Sequence, residues 1–590
     1  MTWPRPIPLV GDRTSARERR DDPTAWRFED NDRSALYDIV MARRDIRRFR
    51  PDDIETALLN RVLGAAHAAP SVGHSQPWRF VIVRDPMTRE RAAIFADRER
   101  LRQAKQLNED AARRILDLQL EGIREAPLGI VVCCDRRTEP RGVLGRATYH
   151  DADLWSCACA IENLWLAARA EGLGVGWVTL FQPDDLAKLI NLPSGVETLG
   201  WLCLGWPDER PPEPGLERVG WSRRLHLDDV ILQERWPELG PNQPFSHARP
   251  PSQVEIVCAR DEADALLTPP GSLGLIDRAL DRLGSLGIVE VPRSRLFLVG
   301  ADHPVAQLGV STYGVEVTRE ILEASVAGES MGAAAALCAD LELTVVDAGV
   351  LGSAIPGVAR CHPVEHRGDM VNLDALSHHD VERLITFGHQ LGVDSSVPSL
   401  VAVGEFGIGN TTVGAALAAA MLGVAPSETV GLGAGGDSAT LERKASVVDQ
   451  AYERALGVYG ARSLRDPYVS LTALGGSEIA VLTGIILGVA EKGGAVVLDG
   501  FVTSLAALCA ARIDAGTLSH LIAGQRSRER GHLLVLEELG LEPLLDMRLR
   551  AGEGIGATLS VQVLRTGLDL RRRTGRVRDP RKRESNDLNR

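Results

Sequence analysis

The stretch SLVAVGEFGIGNTTVGAALAAAML, residues 399–422, passes from an unbroken apolar segment through a glycine-rich turn into a long alanine- and leucine-rich run. A short apolar run closed by glycine reads as a strand covered on both faces, and the alanine-rich stretch that follows favours helix. Three further runs, RLFLVGAD (295–302), LTVVDAG (343–349) and AVVLDG (495–500), alternate with Ala-rich helical segments. That alternation predicts an α/β half with a mostly parallel sheet. Ligands of such sheets collect at the carboxyl ends of the strands, which here carry small and acidic residues.

The first half is patterned differently. RFVIVRD (79–85), LGIVVCCD (128–135), VGWVTLF (175–181) and TLGWLCLG (198–205) read as strands. Between the second and third, Leu154, Cys157, Ala158, Ile161, Leu164, Trp165 and Ala168 recur at helical spacing, with Gly172 and Gly174 as the stop, which predicts a central buried helix. With 590 residues, more than one core is expected. The expected division is a mobile tail over 1–30, a first domain over 31–235, a Pro-rich linker at 236–253 (WPELGPNQPFSHARPPSQ), a second domain over 254–564 and a basic disordered tail over 565–590.

A formal charge of −13, from 67 Lys and Arg against 80 Asp and Glu, opposes nucleic-acid binding by the body of the chain. The Arg-rich C-terminus reads as a solvated tail, or as a contact to RNA or anionic lipid. The N-terminus has no secretory apolar core, and IAVLTGIILGVA (479–490) is too short for a bilayer and reads as a buried helix. Nine cysteines in apolar patterns suggest reduced, buried thiols in the cytoplasm. No metal site is expected: no C-x-x-C occurs, and Pro363 in HPVEH (362–366) disfavours the helix that would pair its histidines.

Two sets of motifs carry chemistry. In the second half, GEFGIGNTT (404–412), GLGAGGD (431–437) and RAGEGIGA (550–557) present backbone N–H groups able to cradle phosphate. None is closed by G-K-[ST], and the dinucleotide fingerprint lacks its acidic partner, so ATP hydrolysis and NAD binding are disfavoured. Glu405 and Glu553 are either catalytic carboxylates or backbone-bonded loop residues. In the first half, MARRDIRRF (41–49) gathers Arg43, Arg44 and Arg47, whose guanidinium forks suit a dianionic phosphate. PSVGHSQPWRF (70–80) supplies Ser71, Gln76 and Trp78 ahead of a strand, while Gly174 and Gly176 allow close backbone approach to a ring.

The ordered first-half motifs RRDIR (43–47), APSVGHSQPW (69–78), VLGR (143–146) and NLWLAARAEGLGVGWV (163–178) resemble the nitroreductase-like flavoprotein superfamily and, within it, the 5,6-dimethylbenzimidazole synthases. The resemblance implies an α+β flavoprotein fold that fragments reduced FMN with O2 and needs no metal. It implies FMN contacts from Arg43, Arg44, Arg47, Ser71, Gln76, Trp78, Gly174, Gly176, Arg223 and Arg224. Asp45 becomes the acid/base candidate, the alternative being an Arg-paired carboxylate that fixes its loop. Thr179 stands where the family usually has Ser.

In the second half LTPPGSLG (267–274), ADHPV (301–305), GVSTY (309–313), GEFGIGNTT, GGSEIA (475–480), DGF (499–501) and EPLLDMRLRAGEGIGA (542–557) resemble the nicotinate-nucleotide:dimethylbenzimidazole phosphoribosyltransferases. That resemblance implies an α/β domain with a small helical subdomain and Glu553 as general base. Glu405, Gly407 and Asn410 would line the nucleotide site, Lys444 and Arg550 would meet its phosphate or carboxylate, and Ser311 and Tyr313 would flank the benzimidazole. Two departures stand out: Tyr313-Gly314-Val315 in place of Y-P-Q, whose Gln touches the base in the family, and Gln525 in place of a His.

Together the resemblances imply a bifunctional, homo-oligomeric, cytoplasmic enzyme acting on FMNH2, O2, nicotinate mononucleotide and dimethylbenzimidazole, with a flavin reductase as a possible partner and no nucleic acid or membrane. The alternatives are a flavin reductase fused to the transferase, or a non-enzymatic flavin or benzimidazole sensor.

Overall fold

The structure is a computed structural model and describes residues 27–107, 122–218, 224–234, 247–269, 271–394, 396–433 and 438–576. The chain divides into two compact units, Arg27–Gly240 and Pro241–Arg590.

In the first unit β1 (Trp78–Val83), β2 (Leu128–Asp135), β3 (Gly174–Val178) and β4 (Val196–Gly205) form a sheet of order β1-β2-β4-β3. Its neighbours pair antiparallel. Such sheets often leave one face wet, yet β2 is an unbroken apolar run because helices cover both sides. Ile130, Val132, Leu202 and Leu204 pack with Leu58 and Val62 of α2 (Thr56–His67) and with Ile161 and Leu164 of α4 (Ala152–Ala170). Val131, Cys133, Trp201 and Cys203 pack on the other face with Ala92, Ala93 and Ala96 of α3 (Pro86–Ala104) and Leu186 of α5 (Pro183–Leu189). Helix α1 (Asp30–Ala42) leads into the RRDIR segment.

The second unit holds six parallel strands in the order β10-β9-β8-β5-β6-β7: β5 (Arg295–Gly300), β6 (Glu342–Asp347), β7 (Ala359–Arg360), β8 (Leu400–Phe406), β9 (Ala495–Leu498) and β10 (Leu521–Ala523). Period-2 alternation sorts the strand residues. Val401 and Val403 face a core with α10 (His378–Val393), α11 (Asn410–Leu422), α14 (Ser477–Glu491) and α15 (Phe501–Ile513). Leu400 and Ala402 face α7 (Leu275–Ser285), α9 (Met331–Cys338) and α17 (Ile555–Arg573). Ahead of β5, α6 (Gln253–Asp264) packs on α7, and α7 on α17.

The apolar segment 479–490 is the body of α14, buried as expected. It approaches α10 backbone to backbone: a Cβ on Gly388 would run into the Val481 carbonyl, and one on Gly484 into the Ile385 carbonyl.

Three expectations need correction. The C-terminal tail does not begin at 565, because α17 continues to Arg573 with Leu568 buried. Arg571 pairs with Asp277 at 2.8 Å and Asp281 at 2.7 Å, so its charge is absorbed by α7. The Pro-rich linker is not free to its end, since the amides of His247 and Ala248 donate to Asp514 at 2.7 and 2.9 Å. Of the nine unpaired cysteines, Cys159 and Cys338 are exposed rather than buried. Residues 1–26, most of the expected N-terminal tail, and 577–590 lie outside the described residues.

Because only hydrogen fits between α10 and α14, Gly484→Ala is expected to destabilise the fold by about 1–3 kcal/mol through overpacking. The check is a lowered midpoint in urea unfolding followed by far-UV circular dichroism.

Candidate active sites

The RRDIR segment lies along the outer edge of β3. Ile46 N donates to the Val175 carbonyl at 2.9 Å, and Asp45 forms an isolated parallel bridge with Val175. Gly174 and Gly176 make this possible: a Cβ on Gly174 would lie 2.9 Å from Ile46 Cγ1, and one on Gly176 would strike the Ile46 carbonyl. These glycines therefore give clearance first to the chain itself.

Asp45 Oδ1 accepts from Trp177 N at 3.1 Å, and Oδ2 pairs with Arg47. Arg47 also donates to the Trp177 carbonyl at 3.0 Å, while its backbone N–H bonds Glu209 at 2.7 Å. Crowding by protein raises the Asp45 pKa, opposed chiefly by Arg47. The side chain keeps 39% of its surface open, so a solvent route to the carboxylate remains and screening tempers the rise.

The other predicted residues divide by what holds them. Arg43 lies 4.8 Å over the Trp165 ring and 3.8 Å from Glu162. Arg44 donates to the carbonyls of Met41, Arg43 and Pro212 at 2.7–2.9 Å, which makes it a clamp on its own loop. Ser71 Oγ accepts from Gln76 N at 3.0 Å and holds Gln76 at φ +46°. Trp78 is buried and donates to His67 Nδ1 at 3.1 Å, so it anchors the core. Thr179 and Arg224 are exposed, and Arg223 lies outside the described residues. The VLGR loop packs on the 71–76 loop, where a Cβ on Gly73 would meet Leu144 N at 2.8 Å. Arg146 anchors it by a buried 2.9 Å pair with Asp153, a feature the sequence shows only as a motif.

In the second unit the strand ends converge. Glu405 is buried at the end of β8 and accepts from Asn410 Nδ2 at 2.6 Å. Burial, reinforced by Glu478, Asp499 and Glu553, pushes its pKa up to about 8 against the Asn410 bond. Glu553 has φ +60°, a left-handed conformation that disfavours a non-glycine residue by about 1–2 kcal/mol. Two bonds hold it there: its N–H donates to the Glu405 carbonyl at 3.1 Å, and its Oε2 accepts from Gly332 N at 2.9 Å, in the first turn of α9. A Cβ at Gly332 would meet the Glu553 side chain, so glycine is needed for the approach.

Gly407 passes the Ala301 carbonyl too closely for a side chain. Lys444 of α12 (Ser438–Ser463) is buried, donates to Thr411 Oγ1 at 2.8 Å and lies 3.9 Å from Glu529. Burial lowers its pKa and Glu529 opposes that. Glu529 also accepts from Gly433 N at 2.9 Å, tying the second glycine loop to the same cluster. Ser311 Oγ accepts from Tyr313 N at 3.1 Å, and Tyr313 is 52% exposed. Arg550 is exposed.

Sequence reasoning missed Asp499, at the end of β9, and the buried pair His303–Glu478, 3.3 Å apart. Asp499 accepts from Gly554 N, Ala557 N and Gln525 Nε2 at 3.1–3.3 Å, and burial raises its pKa to about 6. The available signal was an acidic residue at the carboxyl end of a predicted parallel strand. In HPVEH, His362 bonds Asp347 at 2.7 Å and His366 is exposed.

Residues 249–579 match the phosphoribosyltransferase family model, and 40–206 the nitroreductase family model. A 5,6-dimethylbenzimidazole synthase of Rhodospirillum rubrum is 43% identical over 202 residues, covering 34% of this chain and 95% of that protein. A nicotinate-nucleotide–dimethylbenzimidazole phosphoribosyltransferase of Desulforamulus reducens is 34% identical over 335 residues, covering 55% of this chain and 94% of that protein. The crystal structure of CobT from Thermus thermophilus superposes with a TM-score of 0.51 at 34% identity, covering 54% of this chain and 96% of that one.

A folded chain that keeps the Glu405 proton up to about pH 8, against an ordinary value of 4.5, binds more protons than the unfolded chain across that window. Its stability must therefore fall as pH rises through it. Glu405→Gln is expected to flatten the decline of melting temperature between those two values, and thermal melts in a buffer series will test this. An unchanged slope would mean that Glu405 is already ionised in the fold.

Proposed function

Because the chain belongs to the phosphoribosyltransferase family over residues 249–579, and its first third to the nitroreductase-type dimethylbenzimidazole synthases, we propose one bifunctional enzyme of cobalamin lower-ligand assembly. The first unit oxidatively fragments reduced FMN to 5,6-dimethylbenzimidazole. The second transfers phosphoribosyl from nicotinate mononucleotide to that base, releasing nicotinate and α-ribazole 5′-phosphate. The setting we propose is a cytoplasmic homo-oligomer, with O2 as co-substrate and reduced flavin supplied from elsewhere.

The observation that carries the transferase reading is Glu553, held in a left-handed backbone conformation with one carboxylate oxygen bonded to Gly332 N. Its second oxygen is the proposed acceptor for the azole N–H. As that proton leaves, the opposite ring nitrogen attacks the ribose C1′, and the bond to the pyridinium nitrogen breaks with its electron pair going to nicotinate. The cationic leaving group needs no protonation, so base catalysis and orientation are the protein's main tasks. With its pKa near 8, Glu405 is mostly protonated at neutral pH and adds little negative charge beside Glu553. Gly407, Asn410 and Lys444 are the proposed nucleotide contacts, Arg550 a further anion contact from an exposed position, and Ser311 and Tyr313 the walls beside the base.

For the first unit, the fit to a flavin phosphate is supported by Arg43, whose 3.8 Å contact to Glu162 is loose enough to yield to a dianion. Arg47 and Arg224 are the companion donors, Ser71 and Gln76 the proposed ring-edge contacts. Bound flavin supplies the redox chemistry with O2. Asp45, partly open to solvent, is the proposed proton carrier, with the Trp177 amide and Arg47 fixing its direction and Thr179 offering a hydroxyl near the end of β3.

Aerobic incubation of the whole chain with FMN, a reductant and nicotinate mononucleotide is expected to yield dimethylbenzimidazole and α-ribazole phosphate by mass analysis. Formation of only one product would remove the bifunctional reading. Glu553→Gln should let the free base accumulate, with transfer lowered about 100-fold or more. Asp45→Asn should stop flavin fragmentation while FMN still quenches protein fluorescence on binding; continued fragmentation would dismiss Asp45 as the proton carrier.

A further inference from the structure

Glu553 is only as useful as the loop that aims it, and one buried carboxylate bonds two amides of that loop. Asp499 is 4% exposed and sits at the end of β9, where it accepts from Gly554 N at 3.3 Å and Ala557 N at 3.1 Å. Both amides flank the start of α17, immediately after Glu553. From the other side Asp499 is met by Gln525, 3% exposed, whose Nε2 donates at 3.3 Å and whose Oε1 has no protein partner. Gly556 packs against the Gln525 amide so closely that a Cβ there would overlap it. Glu478, Asp499 and Glu553 all act on the charge of Glu405, and His303 lies 3.3 Å from Glu478.

We propose that Asp499 is a positioning residue that holds the 553–557 loop in its reactive arrangement, with Gln525 as its neutral hydrogen-bond donor. A carboxylate suits this place because it accepts from several N–H groups at once at a helix N-terminus, where negative charge is favoured. A neutral amide suits position 525 because it orients Asp499 without adding a cation that would draw charge away from Glu553. This assignment rests on the transferase reading above, with Glu553 as base.

The test compares the full-length chain with Asp499→Asn and Gln525→Glu, using kcat and KM for nicotinate mononucleotide from pH 6 to about 9, with amide hydrogen exchange over 550–558. Asparagine offers one acceptor oxygen and turns donors toward N–H groups. Asp499→Asn is therefore expected to lower kcat about 10- to 100-fold, as small misplacements of a reacting group do, while KM changes less than about threefold. Exchange at Gly554–Ala557 should accelerate about tenfold or more, as a released loop does, with other segments unchanged. Gln525→Glu sets two carboxyl groups against each other. Its kcat should fall with rising pH and recover on acidification, a dependence that loss of packing alone would not give. Wild-type kcat and exchange in Asp499→Asn, or a wild-type pH profile in Gln525→Glu, would overturn the assignment. If the unaltered chain forms no α-ribazole phosphate, the transferase reading fails by itself, and the exchange comparison still decides whether Asp499 clamps the loop.

Discussion

The second unit is organised by a conflict between burial and charge. Glu405 and Asp499, at the carboxyl ends of β8 and β9, and Glu478, in the first turn of α14, are each under 10% exposed, and Glu478, Asp499 and Glu553 all raise the Glu405 pKa. A buried carboxylate is tolerated when it is protonated, paired or bonded to N–H groups. The fold treats each differently. Glu405 keeps its proton, Asp499 gathers backbone amides, and Glu478, whose carboxylate oxygens accept no hydrogen bond among the described residues, lies 3.3 Å from His303 Nε2. Glu553 accepts from Gly332 N in the first turn of α9 and, unlike the other three, lies only part-way into the protein. It is therefore the member of the cluster best placed to exchange a proton with something that enters.

Backbone proximity is the means by which these groups are brought together, and glycine is its signature. Gly332 admits the Glu553 backbone, Gly404 admits Gly554, and Gly388 with Gly484 allows α10 and α14 to touch. The first unit repeats the device. Gly174 and Gly176 let Ile46 lie on β3, and so place Asp45 against the Trp177 amide. A glycine-rich motif thus reports close approach without saying what approaches. The sequence reads 172–178 as clearance for a ring; the neighbour the fold shows there is the chain itself, at Ile46.

What the sequence discloses follows the range of the interactions involved. The strands are legible because helices cover both faces of each sheet, which leaves unbroken apolar runs such as 128–134 and 400–403. Glu405 and Glu553 are legible because a charged residue between glycines has few structural reasons to be there. Asp499 and Glu478 are not, since an acid after a strand or in the first turn of a helix reads as a turn former or a dipole partner. The end of α17 is hidden for a related reason. Three successive arginines at 571–573 look like a solvated tail until Asp277 and Asp281, nearly 300 residues earlier, are known to meet Arg571. Trp78 errs the other way, as a residue quoted within a motif that serves the core.

With a net charge of −13, the proposed phosphorylated substrate must be met by local donors and not by the field of the whole chain. Among the glycine-loop amides Gly433 N bonds Glu529 and Gly554 N bonds Asp499, while Lys444 is a cation kept buried between Thr411 and Glu529. An arginine cluster would bind phosphate more strongly, but at close quarters in a low-dielectric cleft it would also depress the basicity of any carboxylate nearby. A transferase that must remove an azole proton gains nothing from a tightly held phosphate if its base no longer accepts. On the proposed reading, Glu553 must stay basic while the anion is bound, which favours recognition by dipoles and by cations held away from its carboxylate.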